Sequence, residues 1–357
     1  MPRLSVAILY GGRSVEHGVS INSARNIFQF IDRSKFKPVP IGVTQKGKWY
    51  LTPTVDKNIR RGVPVVFRLD PSKSPFVADG KPVRVHAVFP VLHGTDGEDG
   101  SVQGLLKTMN IPTIGTGVLG SAISMNKIAA KQMLKAAGVP VTDFIALRRK
   151  DDNIPTYEKV KNALGLPFMV KSASLGSSVG VTKVNGAADY KKAVAEAFRY
   201  DHELLFERYV KGREIECAIL GNDPPKASRP GEIVISKNYE FYTFDAKYVD
   251  DKAVTIKVPA DLPSTTADKI MELSVRAFEI LHCEDYARVD LFLADSGEVF
   301  VNEINTIPGF TNSSMYPMMW KERGISFTEL ITRLIGLAMK RHADLDVQHE
   351  FNSSLKY

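Results

Sequence analysis

Only two cysteines, Cys217 and Cys283, occur in 357 residues. Two thiols cannot build a disulfide framework or a four-ligand zinc site, and their scarcity points to a reducing compartment. Long apolar runs are also missing. Val6-Ala-Ile-Leu-Tyr10 and Ala87-Val-Phe-Pro-Val-Leu92 fall far short of the roughly 20 residues that span a bilayer, so no membrane insertion is expected. The first of these runs stops at Gly11-Gly-Arg-Ser14, too early for a secretory signal. No block of one charge sign occurs: 47 Lys+Arg against 40 Asp+Glu leave +7, with the two signs interleaved. That excess permits nucleic-acid binding. Without Lys/Arg blocks or basic–aromatic alternation the expectation is no nucleic acid, and a bias toward phosphates explains the charge as well. Internal repeats and low-complexity tracts are absent. With 44% hydrophobic and 24% charged residues, disorder is excluded. A cytoplasmic enzyme or binding protein of two or three domains remains.

The pattern divides into three blocks. Residues 4–10 read as a buried strand, followed by a glycine turn and a helix over about 20–31. Strands at 39–43, 48–51 and 86–92 and a helix at 101–109 complete an open α/β domain over 1–123, with 54–82 as loop and edge structure. Residues 124–211 read as a small α+β domain: a helix at 126–137 stopped by Gly138, strands at 168–171, 181–184 and 204–210, and a helix at 189–197. Residues 212–357 hold strands at 214–220, 288–293 and 299–304 and helices at 265–281 and 327–341. The polar, aromatic stretch 236–251 suits a mobile loop.

The richest chemistry lies in Arg288-Val-Asp-Leu-Phe-Leu-Ala-Asp-Ser-Gly-Glu-Val-Phe-Val-Asn-Glu-Ile-Asn305. Asp295-Ser-Gly-Glu298 is a tight-turn signal between two alternating runs, hence a hairpin. A two-residue Ser296-Gly297 loop sets Asp290 against Glu303 and Arg288 against Asn305, all on one face; a longer loop shifts the pairing. Opposed carboxylates destabilise a ladder unless a cation lies between them. Carboxylate and amide oxygens are hard ligands that suit Mg²⁺, whose shell waters and phosphate oxygens complete. The pattern equally fits a solvated face on which Arg288 pairs the acids. Thr306-Ile-Pro-Gly-Phe-Thr-Asn-Ser-Ser-Met315 follows, with backbone N–H groups and hydroxyls able to hold an oxyanion or a carboxylate, or serving only as a turn.

Gly176-Ser-Ser-Val-Gly180 between two strands is a phosphate-cover candidate, with Lys171 just before it. It is not a Walker loop, since no Gly-Lys-Ser/Thr occurs, and Gly11-Gly-Arg-Ser14 lacks the dinucleotide spacing. Gly94-Thr-Asp-Gly-Glu-Asp-Gly100 lacks the spacing of a calcium loop. His93 and Glu16 both fall past the C-terminal ends of strands, where open α/β sheets place ligands.

In combination these stretches resemble the D-alanine–D-alanine ligases of the ATP-grasp superfamily. The resemblance rests on Gly11-Gly-Arg-Ser-Val-Glu-His-Gly-Val-Ser20, Leu92-His-Gly-Thr-Asp-Gly-Glu-Asp-Gly100, Lys171 with Gly176-Ser-Ser-Val-Gly180, Gly212-Arg-Glu-Ile-Glu216, Phe241-Tyr-Thr-Phe-Asp-Ala-Lys-Tyr248, Arg288-Val-Asp290, Asn302-Glu-Ile-Asn-Thr-Ile-Pro-Gly-Phe-Thr311 and Ser314-Met-Tyr-Pro317. They follow the family order over nearly the whole chain. The resemblance implies a three-domain ATP-grasp architecture: an N-terminal open α/β domain, a small central α+β domain and a C-terminal antiparallel-sheet domain. It also implies an ATP-dependent ligase that phosphorylates the carboxylate of one D-alanine and lets the amine of a second attack the acyl phosphate, for peptidoglycan precursors.

The same resemblance assigns roles. Glu16 holds the first D-alanine's ammonium with His93 nearby, and Ser177 and Tyr248 link to Glu16. Lys127, Lys171 and Lys247 bind the phosphates of ATP, and Glu207, Val210 and Glu214 contact adenine and ribose. Asp290, Glu303 and Asn305 hold two Mg²⁺ (or Mn²⁺). Arg288 and the Gly309 N–H stabilise the oxyanion, and Ser314 and Met315 receive the second D-alanine's carboxylate. A homodimer is implied. Ser172, Arg208 and Asn126 stand where proline, lysine and aspartate are common, which bears on ATP affinity and not on reaction type. Tyr248 favours the dipeptide over D-alanyl-D-lactate; a ligase joining D-alanine to D-lactate or D-serine is the alternative.

Overall fold

A computed structural model describes residues 3–150, 154–177, 179–235 and 254–344. The N-terminal sheet has seven strands in the order Lys81–Val83, Phe76–Ala78, Val63–Phe67, Trp49–Leu51, Phe36–Val43, Leu4–Gly11, Ala87–Pro90. Leu4–Gly11 runs parallel to both of its neighbours. Its unbroken apolar run reflects cover on both faces. Val6, Ile8 and Tyr10 pack with Ile21, Ala24 and Ile27 of the helix His17–Phe30, while Ala7 and Leu9 pack with Val102 and Leu106 of the helix Ser101–Thr108. The loop and edge expectation for 54–82 resolves into a short 3-10 turn, Ile59–Arg61, and three edge strands.

The central sheet is antiparallel, in the order Val181–Val184, Phe168–Ser172, Glu203–Arg208, Phe144–Arg148. The helices Tyr157–Leu164 and Ala187–Tyr200 give Val160, Leu164, Tyr190 and Ala193 to its core. The C-terminal sheet runs Val254–Lys257, Gly231–Ile235, Gly212–Leu220, Tyr286–Ala294, Val299–Asn305, also antiparallel. The helix Ser264–Ile280 covers one face, and Ala130 and Leu134 of the helix Lys127–Ala136 join that core. The other face shares a continuous core with the N-terminal sheet and the helices Met315–Glu322 and Phe327–Asp344. Both cysteines are buried free thiols, pushed by desolvation to about 11 at Cys217 and about 12 at Cys283, which makes neither a nucleophile.

Arg341 locks the first and third regions together. Its guanidinium bonds the carbonyls of Thr113 (2.8 Å) and Gly115 (2.9 Å) and pairs with the fully buried Asp285 (3.0 Å). Asp285 in turn accepts from the Gly115 N–H at 2.8 Å and from Asn222 at 2.9 Å. This rigid junction fixes the site walls that follow.

Candidate active site

The hairpin Tyr286–Ala294 and Val299–Asn305 sets Asp290 against Glu303 and Arg288 against Asn305, as the sequence predicts, but by another route. The turn is one residue longer than expected: the Ala294 N–H donates to the Glu298 carbonyl and the Gly297 N–H to the Ala294 carbonyl. Near the turn the pairs are therefore Leu291 with Val301 and Leu293 with Val299. A β-bulge at Asn302 inserts one residue and restores the register at the acids. Asn302 and Glu303 consequently both line the cleft above the sheet. On the neighbouring strand Glu216 faces Asp290, so Glu216, Asp290 and Glu303 form a row across three strands.

Cations surround this row. Arg288 forks onto both oxygens of Asp290 at 2.7 Å and lies 3.0 Å from Glu216. Lys127 stands 3.4 Å from Glu303, and the Asn305 amide donates to Asp290 at 2.9 Å. Among the described residues no three His, Cys, Asp or Glu side chains converge on one point that could hold a metal ion. Two opposed carboxylates and an amide still fit Mg²⁺. All donors are oxygens, and the ion habitually keeps waters and takes substrate phosphate oxygens. Arg288 therefore pairs the acids, and the same acids with Asn305 present a face of hard oxygen donors.

Below the row lies a cleft of about 380 Å³ between the central and C-terminal sheets, lined by Lys127, Lys171, Glu207, Val210, Glu214 and Asn302 among others. Lys171 faces Leu205 across the ladder, and Glu207 is two residues along on the same face, a diagonal pair. Lys171 Nζ lies 2.5 Å from Glu207 and 3.4 Å from the Asn302 carbonyl oxygen of the side chain. Burial alone would push the Glu207 carboxyl up, but Lys131 and Lys171 hold it well below the usual range. Asn126 caps the helix Lys127–Ala136, accepting from the Ile128 and Ala129 N–H groups, and so aims Lys127 into the cleft from the first turn.

Glu16, at the N-cap of the helix His17–Phe30, forms a second wall, and its charge and that of Arg288 both act on His93 and Glu98. Glu16 is buried and accepts a hydrogen bond from the Ser177 hydroxyl, while its own N–H is held by Ser14 Oγ at 3.0 Å. Ser177 sits at φ 55, a left-handed conformation that costs energy in any residue but glycine. Gly94, at φ 74, passes so close that a Cβ there would lie 2.7 Å from the Glu16 carboxylate and 2.5 Å from Ser14 Oγ. His93 is buried against Ser23 Oγ (3.0 Å), and desolvation pushes its imidazole down, keeping it neutral. Tyr248 and Lys247 lie outside the described residues.

Glu98 joins this wall to the loop after the hairpin, accepting from the N–H of Gly94 at 2.7 Å and of Ile307 at 3.2 Å. Burial, and then the charge of Glu16, raise its carboxyl to about 8. A raised folded-state value on an acid means that the native state holds the proton more tightly. Stability is therefore greatest below the ordinary value of 4.5 and falls as pH climbs toward 8, by at most about 1.4 kcal/mol per pH unit. Urea melts from acid to neutral pH should show this slope in the parent. In Glu98→Gln the amide loses one N–H acceptor, costing about 1 kcal/mol, but the downward slope that Glu98 contributes should be gone.

Phe310 anchors the loop after the hairpin. It is buried against Phe89 (5.9 Å), Tyr286 (6.1 Å) and Tyr316 (5.9 Å), and its N–H meets Ser23 Oγ at 3.2 Å. Gly309 is thereby held beside Ser314, whose Oγ would be 3.1 Å from a Cβ there. Ser314 precedes the first turn of the helix Met315–Glu322. The Met315 side chain is buried and packs beside Gly231, so only its backbone N–H, at the positive end of the helix, can meet a carboxylate.

Two antiparallel sheets around one cleft, with buried lysines on one wall and an acid-bearing hairpin on the other, preceded by an open α/β sheet, define an ATP-grasp fold. Sequence profiles for the D-ala D-ala ligase N-terminus and C-terminus match residues 5–116 and 133–336. The D-alanine–D-alanine ligase A of Salmonella typhimurium is 45% identical over 96% of this chain and 97% of its own length. That of Escherichia coli K12 is 43% identical over 96% and 98%. Among solved structures, the D-alanine–D-alanine ligase from Coxiella burnetii superposes with a TM-score of 0.85 at 38% identity, over 96% of this chain and 97% of that one. The VanG D-Ala:D-Ser ligase from Enterococcus faecalis gives 0.86 at 35%, over 94% and 100%. The chain belongs to the D-alanine–D-alanine ligase family.

Sequence reasoning missed Lys131, Glu98, Glu216 and Asn302. Lys131 stands one helical turn from Lys127 and Glu216 two residues along the strand from Glu214, and both spacings were readable. The bulge that turns Asn302 into the cleft has no comparable sequence signal.

Proposed function

We propose that the protein joins two D-alanine molecules into D-alanyl-D-alanine with ATP as the phosphoryl donor, supplying peptidoglycan precursors. The supporting observation is that the buried Glu16–Ser177 anchor lies near the Arg288–Asp290–Glu303 face: the charges of Glu16 and Arg288 both act on Glu98, which bonds the loop after the hairpin. ATP lies with its base and ribose against Glu207, Val210 and Glu214, and its phosphates against Lys127 and Lys171. Lys247, outside the described residues, is assigned to the phosphates by the family resemblance alone. Glu16 takes the ammonium of the first D-alanine, and His93, kept neutral, adds no competing charge.

A carboxylate oxygen of that D-alanine attacks the γ-phosphorus; the new O–P bond forms as the bond to the β-phosphate oxygen breaks, and ADP leaves. The amine of the second D-alanine, having lost its proton, attacks the acyl carbon. Its carboxylate is received by Ser314 and the Met315 N–H. Arg288, held flat by Asp290 and Glu216, and the Gly309 N–H face the developing oxyanion. That attack forms the C–N bond, and collapse of the tetrahedral intermediate breaks the C–O bond to the phosphoryl group and releases phosphate. Two Mg²⁺ (or Mn²⁺) on Asp290, Glu303 and Asn305 would screen the phosphate charge during transfer. Tyr248, outside the described residues, is assigned to the Ser177 and Glu16 hydrogen bonds by the family resemblance alone, and water exclusion protects the acyl phosphate. A cytoplasmic homodimer belongs to the same reading.

Phosphate release from ATP in Mg²⁺ should require D-alanine and not respond to L-alanine, with dipeptide formed in equal amount. Similarity to the D-Ala:D-Ser ligase makes D-serine the control acceptor, with D-lactate as the hydroxyl acceptor. A D-alanine requirement with D-serine as the better acceptor would replace the dipeptide reading; no response to D-alanine would overturn it.

A further inference from the structure

Lys131 has no part in the reading above, yet it is 1% exposed, as is the carboxylate it meets. Its Nζ lies 2.5 Å from one oxygen of Glu207 and donates to Thr142 Oγ1 at 3.0 Å. The Thr142 hydroxyl donates to that same Glu207 oxygen. The other oxygen faces Lys171 at 2.5 Å. Thr142 is fully buried. Two ammonium groups therefore share one carboxylate where little water reaches, and only Lys171 opens toward the phosphate end, 3.4 Å from Asn302.

We propose that Lys131 is a positioning residue for nucleotide: by occupying half of Glu207 it leaves Lys171 with positive charge to present to a phosphate oxygen. A lone Lys171–Glu207 pair would be nearly neutral and a weak phosphate partner. The third charge makes the trio cationic, an arrangement costly in isolation that an arriving anion relieves. Burial pushes the Lys131 ammonium down against the pull of Glu207, whereas Glu207 overcomes burial at Lys171 and raises it. Of the two ammonium groups only Lys171 lines the cleft, so it is the one that an anion there meets.

The inference rests on the nucleotide reading of the cleft, and calorimetric titration separates the two. Parent protein that binds neither MgATP nor adenosine would overturn that reading. With binding present, Lys131→Met should weaken MgATP about tenfold or more and adenosine less than about threefold, because only the phosphates sense the charge. Removing both partners in K131M/E207Q should return the ratio of the two affinities toward the parent's, since Lys171 then has no carboxylate to neutralise it. Equal losses for MgATP and adenosine, or a further fall of the ratio in the double variant, would show that Lys131 only supports the fold and overturn the proposal. If K131M does not fold, Lys131→Gln carries the test: it can still donate to Glu207 and Thr142 but brings no charge, so MgATP affinity should fall selectively. An unchanged MgATP affinity in K131Q would overturn the proposal.

Discussion

Glu303→Gln should reduce turnover by at least about a thousandfold, equivalent to roughly 4 kcal/mol in the barrier, while leaving a folded protein. Glu303 shares the acid row with Asp290, against which it lies directly across the ladder. The amide is nearly isosteric but cannot supply the negative charge that a divalent cation or Lys127 requires. Folding should survive because glutamine keeps the shape of a side chain that is 22% exposed and can still accept from Lys127, 3.4 Å away. Steady-state rates at saturating ATP and D-alanine, with a melting curve on the same preparation, test this. Near-normal turnover would remove Glu303 from the phosphoryl-transfer machinery.

Glu16→Gln should raise the KM for the first D-alanine roughly a hundredfold, the loss of a charge-assisted contact of about 2–3 kcal/mol. The effect should be confined to that substrate. Glutamine can still accept from Ser177, and the ATP cleft lies on other elements. Stability should change little, since glutamine keeps the hydrogen bond from Ser177 and lifts the desolvation cost of a carboxylate that is only 7% exposed. A raised KM for ATP in place of D-alanine would contradict the assignment of this wall to the amino acid.

Legibility in the sequence followed physical cause. Leu4–Gly11 was readable because burial on both faces leaves a continuous apolar run. The acids of the hairpin were paired correctly through two deviations that cancel, a longer turn and a compensating bulge at Asn302. Such cancellation depends on strand twist and neighbouring strands, which no local pattern records. The helix Val118–Met125 went unread because the face it buries is Gly120, Ser121 and Ser124, which gives no hydrophobic period. Phe144–Arg148 is half exposed and lacks the same signal. Lys131 was missed for a different reason. A lysine on a helix is ordinarily solvated, and its partners Thr142 and Glu207 come from separate segments that only the fold brings together. The resemblance placed Glu207 against the nucleotide; its oxygens are in addition committed to two buried lysines.

The central claim is that a D-alanine carboxylate takes the γ-phosphoryl group before the peptide bond forms. The most direct test follows oxygen. D-alanine carrying ¹⁸O in its carboxylate is supplied with ATP and Mg²⁺, and the released phosphate is examined by mass spectrometry. An acyl phosphate leaves one carboxylate oxygen on the phosphate, so each dipeptide formed should be matched by a phosphate bearing one ¹⁸O. Unlabelled phosphate released in step with dipeptide would contradict the account, because ATP cleavage would then bypass the substrate carboxylate.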